Sequence, residues 1–210
     1  RRKHGIELNI NPIGETLIGE HEAKERLNKY LEILNEPKVN YVSVKLSTLH
    51  SQITAIGHDN VIEECIERLS VLYREVLKIK EELGVTKFIN LDMEEFKDLS
   101  ITYETFVRTL DKKEFKFLRA GIVLQAYLPE TYQVAKDLQA WSIKRVQSGG
   151  VPVKVRIVKG ANHEMEKTEA SMRGWPLATY NSKVETDANF KKILLELLTA
   201  NSAKCLNVGI

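Results

Sequence analysis

Six polar residues recur at equivalent places in this chain: Asn11, Lys45, Asp92, Gln125, Arg156 and Lys159. The first five lie at or next to the C-terminal end of a short strand-like run, and Lys159 directly follows the fifth run. Brought to one mouth, they supply two or three cations, a carboxylate and an amide. That set suits an anionic ligand together with a cofactor whose ring has a polar edge. Any one of them would serve equally well as half of an ion pair that merely fills the interior. Six at equivalent ends favour a site, because desolvating several charges without function is costly.

Other polar clusters carry less. His163-Glu164-Met165-Glu166 has the residue types of a metal site, but carboxylates in the first turn of a helix are favoured by the helix dipole alone. His50 and His58 bracket a loop and have no ligand partners near them in the sequence. No metal site is read. Trp141 and Trp175 are read as packing residues.

The elements that must position the six residues alternate. Strands are predicted at Glu7–Asn11, Tyr41–Leu46, Lys87–Asp92, Gly121–Gln125, Val153–Val158 and Cys205–Ile210. Helices are predicted at Glu20–Leu34, Val61–Leu83, Thr102–Leu110, Glu130–Gln147 and Asp187–Leu198. The clearest helical stripe is Ile62, Cys65, Ile66, Leu69, Leu72, Tyr73, Val76 and Leu77. Gly84 and Gly149-Gly150 sit just past helices, where a left-handed cap is needed. Strand–helix alternation implies a parallel sheet with helices outside it.

Strand parity separates an open doubly wound sheet from a barrel. One face carries Glu7, Asn9, Asn11; Tyr41, Ser43, Lys45; Phe88, Asn90, Asp92; Val123, Gln125; and Lys154, Arg156. The opposite face carries Leu8, Ile10; Val42, Val44, Leu46; and Ile89, Leu91. A parallel sheet covered on both faces reads as almost wholly apolar. A barrel lumen that turns polar toward its C-terminal mouth explains the pattern. The first turn, Asn11-Pro12-Ile13-Gly14-Glu15, lacks the glycine spacing of a dinucleotide fold, and no P-loop sequence occurs. The expected fold is therefore α/β, a (β/α)8 TIM-like barrel, incomplete, with about six strands. Eight are needed to close it, so the expectation is one barrel domain over residues 1–210 whose last two units lie outside this sequence.

Composition excludes several classes. With 43% hydrophobic and 29% charged residues, the chain has the makeup of an ordered globular domain. A formal net charge of +2 provides no field for nucleic acid. No apolar run reaches the ~18 residues of a membrane span. Arg1-Arg2-Lys3-His4-Gly5 is basic but no signal-type apolar segment follows, and the expectation is a start inside a longer protein. Cys65 and Cys205 fall in a predicted helix and strand, and are expected to be buried and reduced, as suits a cytosolic compartment.

Four motifs in order carry a resemblance: Val42-Ser43-Val44-Lys45-Leu46-Ser47, Leu91-Asp92-Met93-Glu94-Glu95, Gly121-Ile122-Val123-Leu124-Gln125-Ala126-Tyr127 and Val155-Arg156-Ile157-Val158-Lys159-Gly160-Ala161. Gly174-Trp175-Pro176 and Lys183-Val184-Glu185-Thr186-Asp187 extend it. Together they resemble the proline dehydrogenase family, including the proline dehydrogenase domain of bifunctional proline utilization A, over nearly the whole chain.

The resemblance implies a distorted barrel of the proline dehydrogenase type that binds FAD without a covalent link. It implies oxidation of L-proline to pyrroline-5-carboxylate, with quinone as electron acceptor and peripheral contact with a membrane. A fused or associated pyrroline-5-carboxylate dehydrogenase is a further implied partner. Carried over residue by residue, Arg156 serves the flavin N5 region and Gln125 the polar ring edge. Lys159, Gly160 and Ala161 lie along the ring and the ribityl–pyrophosphate chain, and Lys183 and Thr186 along the phosphate and adenosine portion. Lys45 neutralises the substrate carboxylate and Asp92 orients the charges near it. An oriented guanidinium near N5 would stabilise negative charge on the reduced ring.

The chain departs from the family pattern after Lys-Gly-Ala, where Asn162 and His163 replace the usual aromatic pair; His163 is assigned to stacking on the flavin. The family's C-terminal helix, with the arginines that clamp a carboxylate, lies outside this sequence. Lys45 alone is a poor substitute for a bidentate clamp, so weak FAD binding and little activity are expected of these 210 residues by themselves. Two rival functions remain on the residues alone. One is a Schiff-base lyase using Lys45 or Lys159 with Asp92 as acid–base partner. The other is a degenerate barrel that acts only as an assembly module.

Overall fold

In the computed structural model the described residues are 8–12, 17, 19–51 and 58–210. Strands β1 (Asn9–Ile10), β2 (Tyr41–Lys45), β3 (Phe88–Asp92), β4 (Ala120–Gln125), β5 (Val153–Val158) and β6 (Leu206–Gly209) form one parallel sheet in the order β1-β2-β3-β4-β5-β6. Each new strand adds beside the last and on the same side. That is barrel order; a doubly wound sheet reverses direction partway. The two edges, β1 and β6, do not pair with each other, so the sheet is an open arc.

Helices α1 (Glu20–Asn35), α2 (His58–Leu83), α3 (Asp98–Leu110), α4 (Thr131–Gln147), α5 (His163–Arg173) and α6 (Lys183–Leu197) follow the strands. They pack in chain order, α1 on α2, α2 on α3, α3 on α4 and α4 on α6. Against them lies the apolar parity of the sheet: Val42, Val44, Ile89, Leu91, Ile122, Leu124, Val153, Val155 and Ile157 are all buried. The α2 stripe is buried as expected, except that Ile79 takes the place of half-buried Leu77. Helix α5 has no buried residue and stands outside this layer.

The opposite parity fills the lumen. At its floor Tyr41 and Phe88 meet edge to face, ring centroids 4.9 Å apart, with Lys154 Nζ 5.1 Å from the Tyr41 ring. Gly121 makes room for them: a β-carbon there would lie 2.4 Å from Asn90 Oδ1 and 2.9 Å from Phe88. The ladder aligns Lys45 with Asp92 and Val123 with Arg156, which levels the polar strand ends at one mouth.

Several boundaries differ from the sequence reading. Helices α2, α3 and α6 begin three to four residues earlier than the periodicity indicated. For α6 the reason is a capping box: Ser182 accepts from the Glu185 amide while the Glu185 carboxylate accepts from the Ser182 amide. Caps need no apolar residue, so hydrophobic periodicity misses them. Gly84 and Gly149 take positive φ at helix ends, as expected. Gly174 does the same after α5. Glu7 lies outside the described residues, and Asn11 follows β1 rather than ending it. Cys65 and Cys205 are free and buried, but Cys205 sits in the turn before β6 and not in the strand. Trp141 packs on Phe106 and donates to Asp111, as a packing residue does. Trp175 does not: it is 58% exposed, with Arg173 over its ring.

Candidate active site at the C-terminal mouth of the sheet

Asp92, the last residue of β3, is the anchor of the mouth. It is 8% exposed, and its carboxylate accepts from Asn90 Nδ2 at 2.7 Å, from Arg156 Nη2 at 3.0 Å and from Asn11 Nδ2 at 3.5 Å. Asn90 is two residues back on the same strand and fully buried, so parity alone puts it beneath Asp92. Arg156 reaches Asp92 from β5, across Val123 of β4. Its Nε is buried and has no partner.

Gln125, the last residue of β4, is buried too. Its amide nitrogen donates to the Met93 carbonyl at 3.1 Å and, at 3.5 Å, to that of Glu94. Its Oε1 is buried without a partner. The side chain is thus fixed from one end, with an acceptor left free at the other.

The loop after β3 is the part that strand parity does not show. The Glu94 carbonyl also accepts from Tyr127 Oη at 3.3 Å and from Asn162 Nδ2 at 3.0 Å. Three side chains from β4 and the two following loops therefore converge on one main-chain oxygen. The Glu94 carboxylate in turn forms an ion pair with Lys45 Nζ. Lys45 is level with Asp92 in the ladder, yet its charge is matched by Glu94. Burial pushes the Tyr127 phenol up, which keeps it a neutral donor.

After β5 the chain continues as Lys159-Gly160-Ala161-Asn162. Lys159 is half exposed and pairs with Asp187 Oδ1 at 2.5 Å. Gly160 has φ +117, and a β-carbon there would meet the Tyr127 ring at 2.4 Å. Glycine is required at this position by Tyr127, a neighbour within the chain. These residues surround a cleft of about 350 Å³, lined by Asn11, Lys45, Asp92, Gln125, Arg156 and Lys159, with Glu94, Gly160, Ala161 and Asn162. That volume is in the range of ligand pockets.

All six strand-end residues singled out in the sequence thus share one cleft. Gly160 and Ala161 line it as well, whereas His163, Lys183 and Thr186 do not. His163 starts α5, and its Nδ1 is 2.9 Å from the Thr179 hydroxyl. Lys183 pairs with Asp187 at 2.6 Å, and Thr186 is turned to the Ser182 carbonyl. The two lysines hold the Asp187 carboxyl well below the usual range, at about 2. Sequence reasoning missed Glu94, Tyr127 and Asn162 as mutually bonded groups. The one available signal was their place directly after strand ends.

The reading of His50 as a histidine with no ligand partners is corrected. Its Nε2 lies 3.1 Å from Glu64, and Glu20 completes a group whose ligand atoms lie within 4.8 Å of one another. Arg68 contacts both carboxylates, so a guanidinium already balances their charge. Partners from α1 and α2 cannot be seen from sequence neighbours.

The sequence profile of the family "Proline dehydrogenase" matches residues 1–209. The chain is 30% identical over 164 residues to the bifunctional protein PutA of Klebsiella aerogenes and of Escherichia coli K12, which is 75% of this chain and 11% of each relative. The solved proline utilization A of Corynebacterium freiburgense superposes with a TM-score of 0.93 at 41% identity, over 100% of this chain and 21% of that one. That of Bdellovibrio bacteriovorus, inactivated by N-propargylglycine, gives 0.86 at 31% identity, over 99% and 23%. The chain therefore spans a small fraction of the length of these relatives.

Proposed function

The chain belongs to the proline dehydrogenase family, and on that premise we propose that residues 1–210 are one barrel domain that oxidises L-proline to pyrroline-5-carboxylate with FAD. The observation that carries the reading is a pair of buried, unpartnered atoms on two residues that line the cleft, Gln125 Oε1 and Arg156 Nε. A buried acceptor and a buried donor left open cost stability unless a ligand engages them. A flavin ring has N–H and acceptor groups along its polar side, and so fits both. When bound, the flavin supplies the hydride acceptor.

The residues then divide the work. Asp92 holds Arg156 by one guanidinium nitrogen, which fixes the fork and leaves Nε without a partner. A fixed cation there stabilises negative charge without reorganising. Gln125, clamped to the Met93 carbonyl, orients the ring by its free oxygen. Lys159, Gly160 and Ala161 line the cleft, and Lys183 and Thr186, on the first turn of α6, would serve the phosphate portion of the cofactor. His163, held by the Thr179 hydroxyl at the start of α5, would stack on the flavin. Lys45 meets the substrate carboxylate, and Asp92 keeps the local charges matched. Net oxidation removes a hydride from the ring carbon beside nitrogen and a proton from the nitrogen, leaving a C=N bond. Electrons pass on to a quinone, at a membrane touched peripherally; no helix among the described residues is long and apolar enough to cross one. A pyrroline-5-carboxylate dehydrogenase, fused or associated, is the partner that consumes the product. The compartment in this reading is the cytoplasm.

The Schiff-base alternative has less support. Both of its lysines are engaged by carboxylates, Lys45 by Glu94 and Lys159 by Asp187, whereas a nucleophilic amine needs a free lone pair. The test of the main reading is an absorbance spectrum of the protein at its natural length, before and after L-proline under anaerobic conditions. A flavin spectrum bleached by L-proline and restored by a quinone is expected. A colourless protein, or a yellow one indifferent to L-proline, would sink the reading. Arg156→Met should keep the flavin spectrum and lower turnover by about a hundredfold or more.

A further inference from the structure

Beyond Gln125 the chain turns out of β4, and the carbonyls of that turn are held from the other side of the mouth. The Gln125 carbonyl is satisfied locally, by Thr131 Oγ1 at 2.7 Å. The next three accept from the segment that leads into and forms α6. The Tyr127 carbonyl takes the Tyr180 amide at 2.8 Å. One side-chain nitrogen, Asn189 Nδ2, donates to the Ala126 carbonyl at 2.9 Å and to the Leu128 carbonyl at 3.2 Å. Asn189 lies on α6, is 4% exposed, and is not among the residues that line the cleft. Its two bonds are shielded from water, so no solvent molecule replaces them cheaply.

We propose that Asn189 is a positioning residue that holds the first turn of α6 at a fixed distance from Gln125, so that one elongated cofactor meets both. This rests on the proposed flavin binding. Gln125 begins the turn that Asn189 grips, and Lys183 precedes Asn189 on the same helix. A helix moves as one body because each of its turns is bonded to the next. The amide of Asn189 thus links the ring end of the site to the phosphate end without touching a ligand itself. Buried Ile193 and Leu197 keep α6 on the fold when that amide is removed, but the spacing of the two ends is then set only loosely. A cofactor that must engage both ends loses the advantage of finding them already placed.

The measurement is a double-mutant cycle on FAD affinity, read by flavin fluorescence titration of the apoprotein at its natural length. Asn189→Ala alone should weaken FAD by about tenfold, an effect of the size found for residues that act together. In a Gln125→Ala background there is no ring contact for Asn189 to align, and the same substitution should weaken FAD by only about twofold. A merely structural role would lower the melting temperature and weaken FAD equally in both backgrounds. An equal loss in the two backgrounds therefore overturns the proposal, and so does unchanged FAD affinity in Asn189→Ala. Should Asn189→Ala fail to fold, Asn189→Ser keeps a shorter donor and carries the same comparison, with the same outcomes deciding. Absence of FAD binding in the unsubstituted protein would instead overturn the function on which the proposal rests.

Discussion

The strand ends and the helical rim of the mouth use the same residue types and hold them by different means. Asp92, Gln125 and Arg156 come from adjacent strands and are tied to one another or to the β3–α3 loop; the first two are buried and Arg156 is half-buried. Lys159 and Lys183 form an equally short set of contacts with half-buried Asp187, but their own side chains are exposed. Buried groups in a low-dielectric setting are fixed before any ligand arrives, while exposed pairs are screened and readily rearranged. The first region is suited to a ring whose orientation decides chemistry. The second is suited to a charged tail that needs only counter-charge.

The contrast can be broken most severely where the two regions join. Gly160→Ala puts a methyl into the Tyr127 ring on a backbone with φ +117. A loss of about 4 kcal/mol is expected, with a fall of about 10 °C in melting temperature. A normal melt would mean that Tyr127 moves freely and does not link the regions. Next, burial pushes the Asp98 carboxyl, under the β3–α3 loop, up to about 6 from 3.8. Its folded value exceeds its unfolded one, so stability falls as pH rises from about 4 and the penalty is complete above about 6. Asp98→Asn should therefore add about 3 kcal/mol at pH 8 and nothing near pH 3.5. Equal effects at the two pH values, measured by urea denaturation, would contradict the assignment.

Asp92→Ala strands Arg156 and leaves Asn90 without its acceptor. About 2 kcal/mol should be lost, and flavin should come off more easily. The smallest effect belongs to the rim. Lys183→Ala should leave the melt unchanged and weaken FAD binding about threefold at low salt, with the difference gone near 1 M salt. If flavin fluorescence titrations showed a salt-independent loss, Lys183 would belong to the fixed region.

The strand-end residues were legible because strand parity and barrel order are both local consequences of backbone geometry. Alternation in Tyr41–Lys45 and Phe88–Asp92 put Lys45 and Asp92 on one face, and their register then made them neighbours. Helix cores were legible for the same reason, as the α2 stripe shows. The rest was not. Trp175 is a large apolar residue that the fold leaves in solvent, and no period predicts that. His50 finds Glu64 and Glu20 through the packing of α1 against α2, 14 and 30 residues away in the chain. Arg145 donates to the carbonyls of Leu110, Phe115 and Leu118, and its types of neighbour give no hint of this.

By itself, then, the sequence determined the alternating elements, the polar face of each strand and the cluster Asn11, Lys45, Asp92, Gln125, Arg156 and Lys159. These follow from the two-residue period of a strand and the short reach of helix periodicity. Only the tertiary structure decided who pairs with whom: Arg156 with Asp92, Lys45 with Glu94, Lys159 with Asp187, and three donors on one Glu94 carbonyl. Those partners lie 28 to 68 residues apart. Their choice depends on where loops of different lengths meet above the sheet, a property of the assembled mouth and of no single segment.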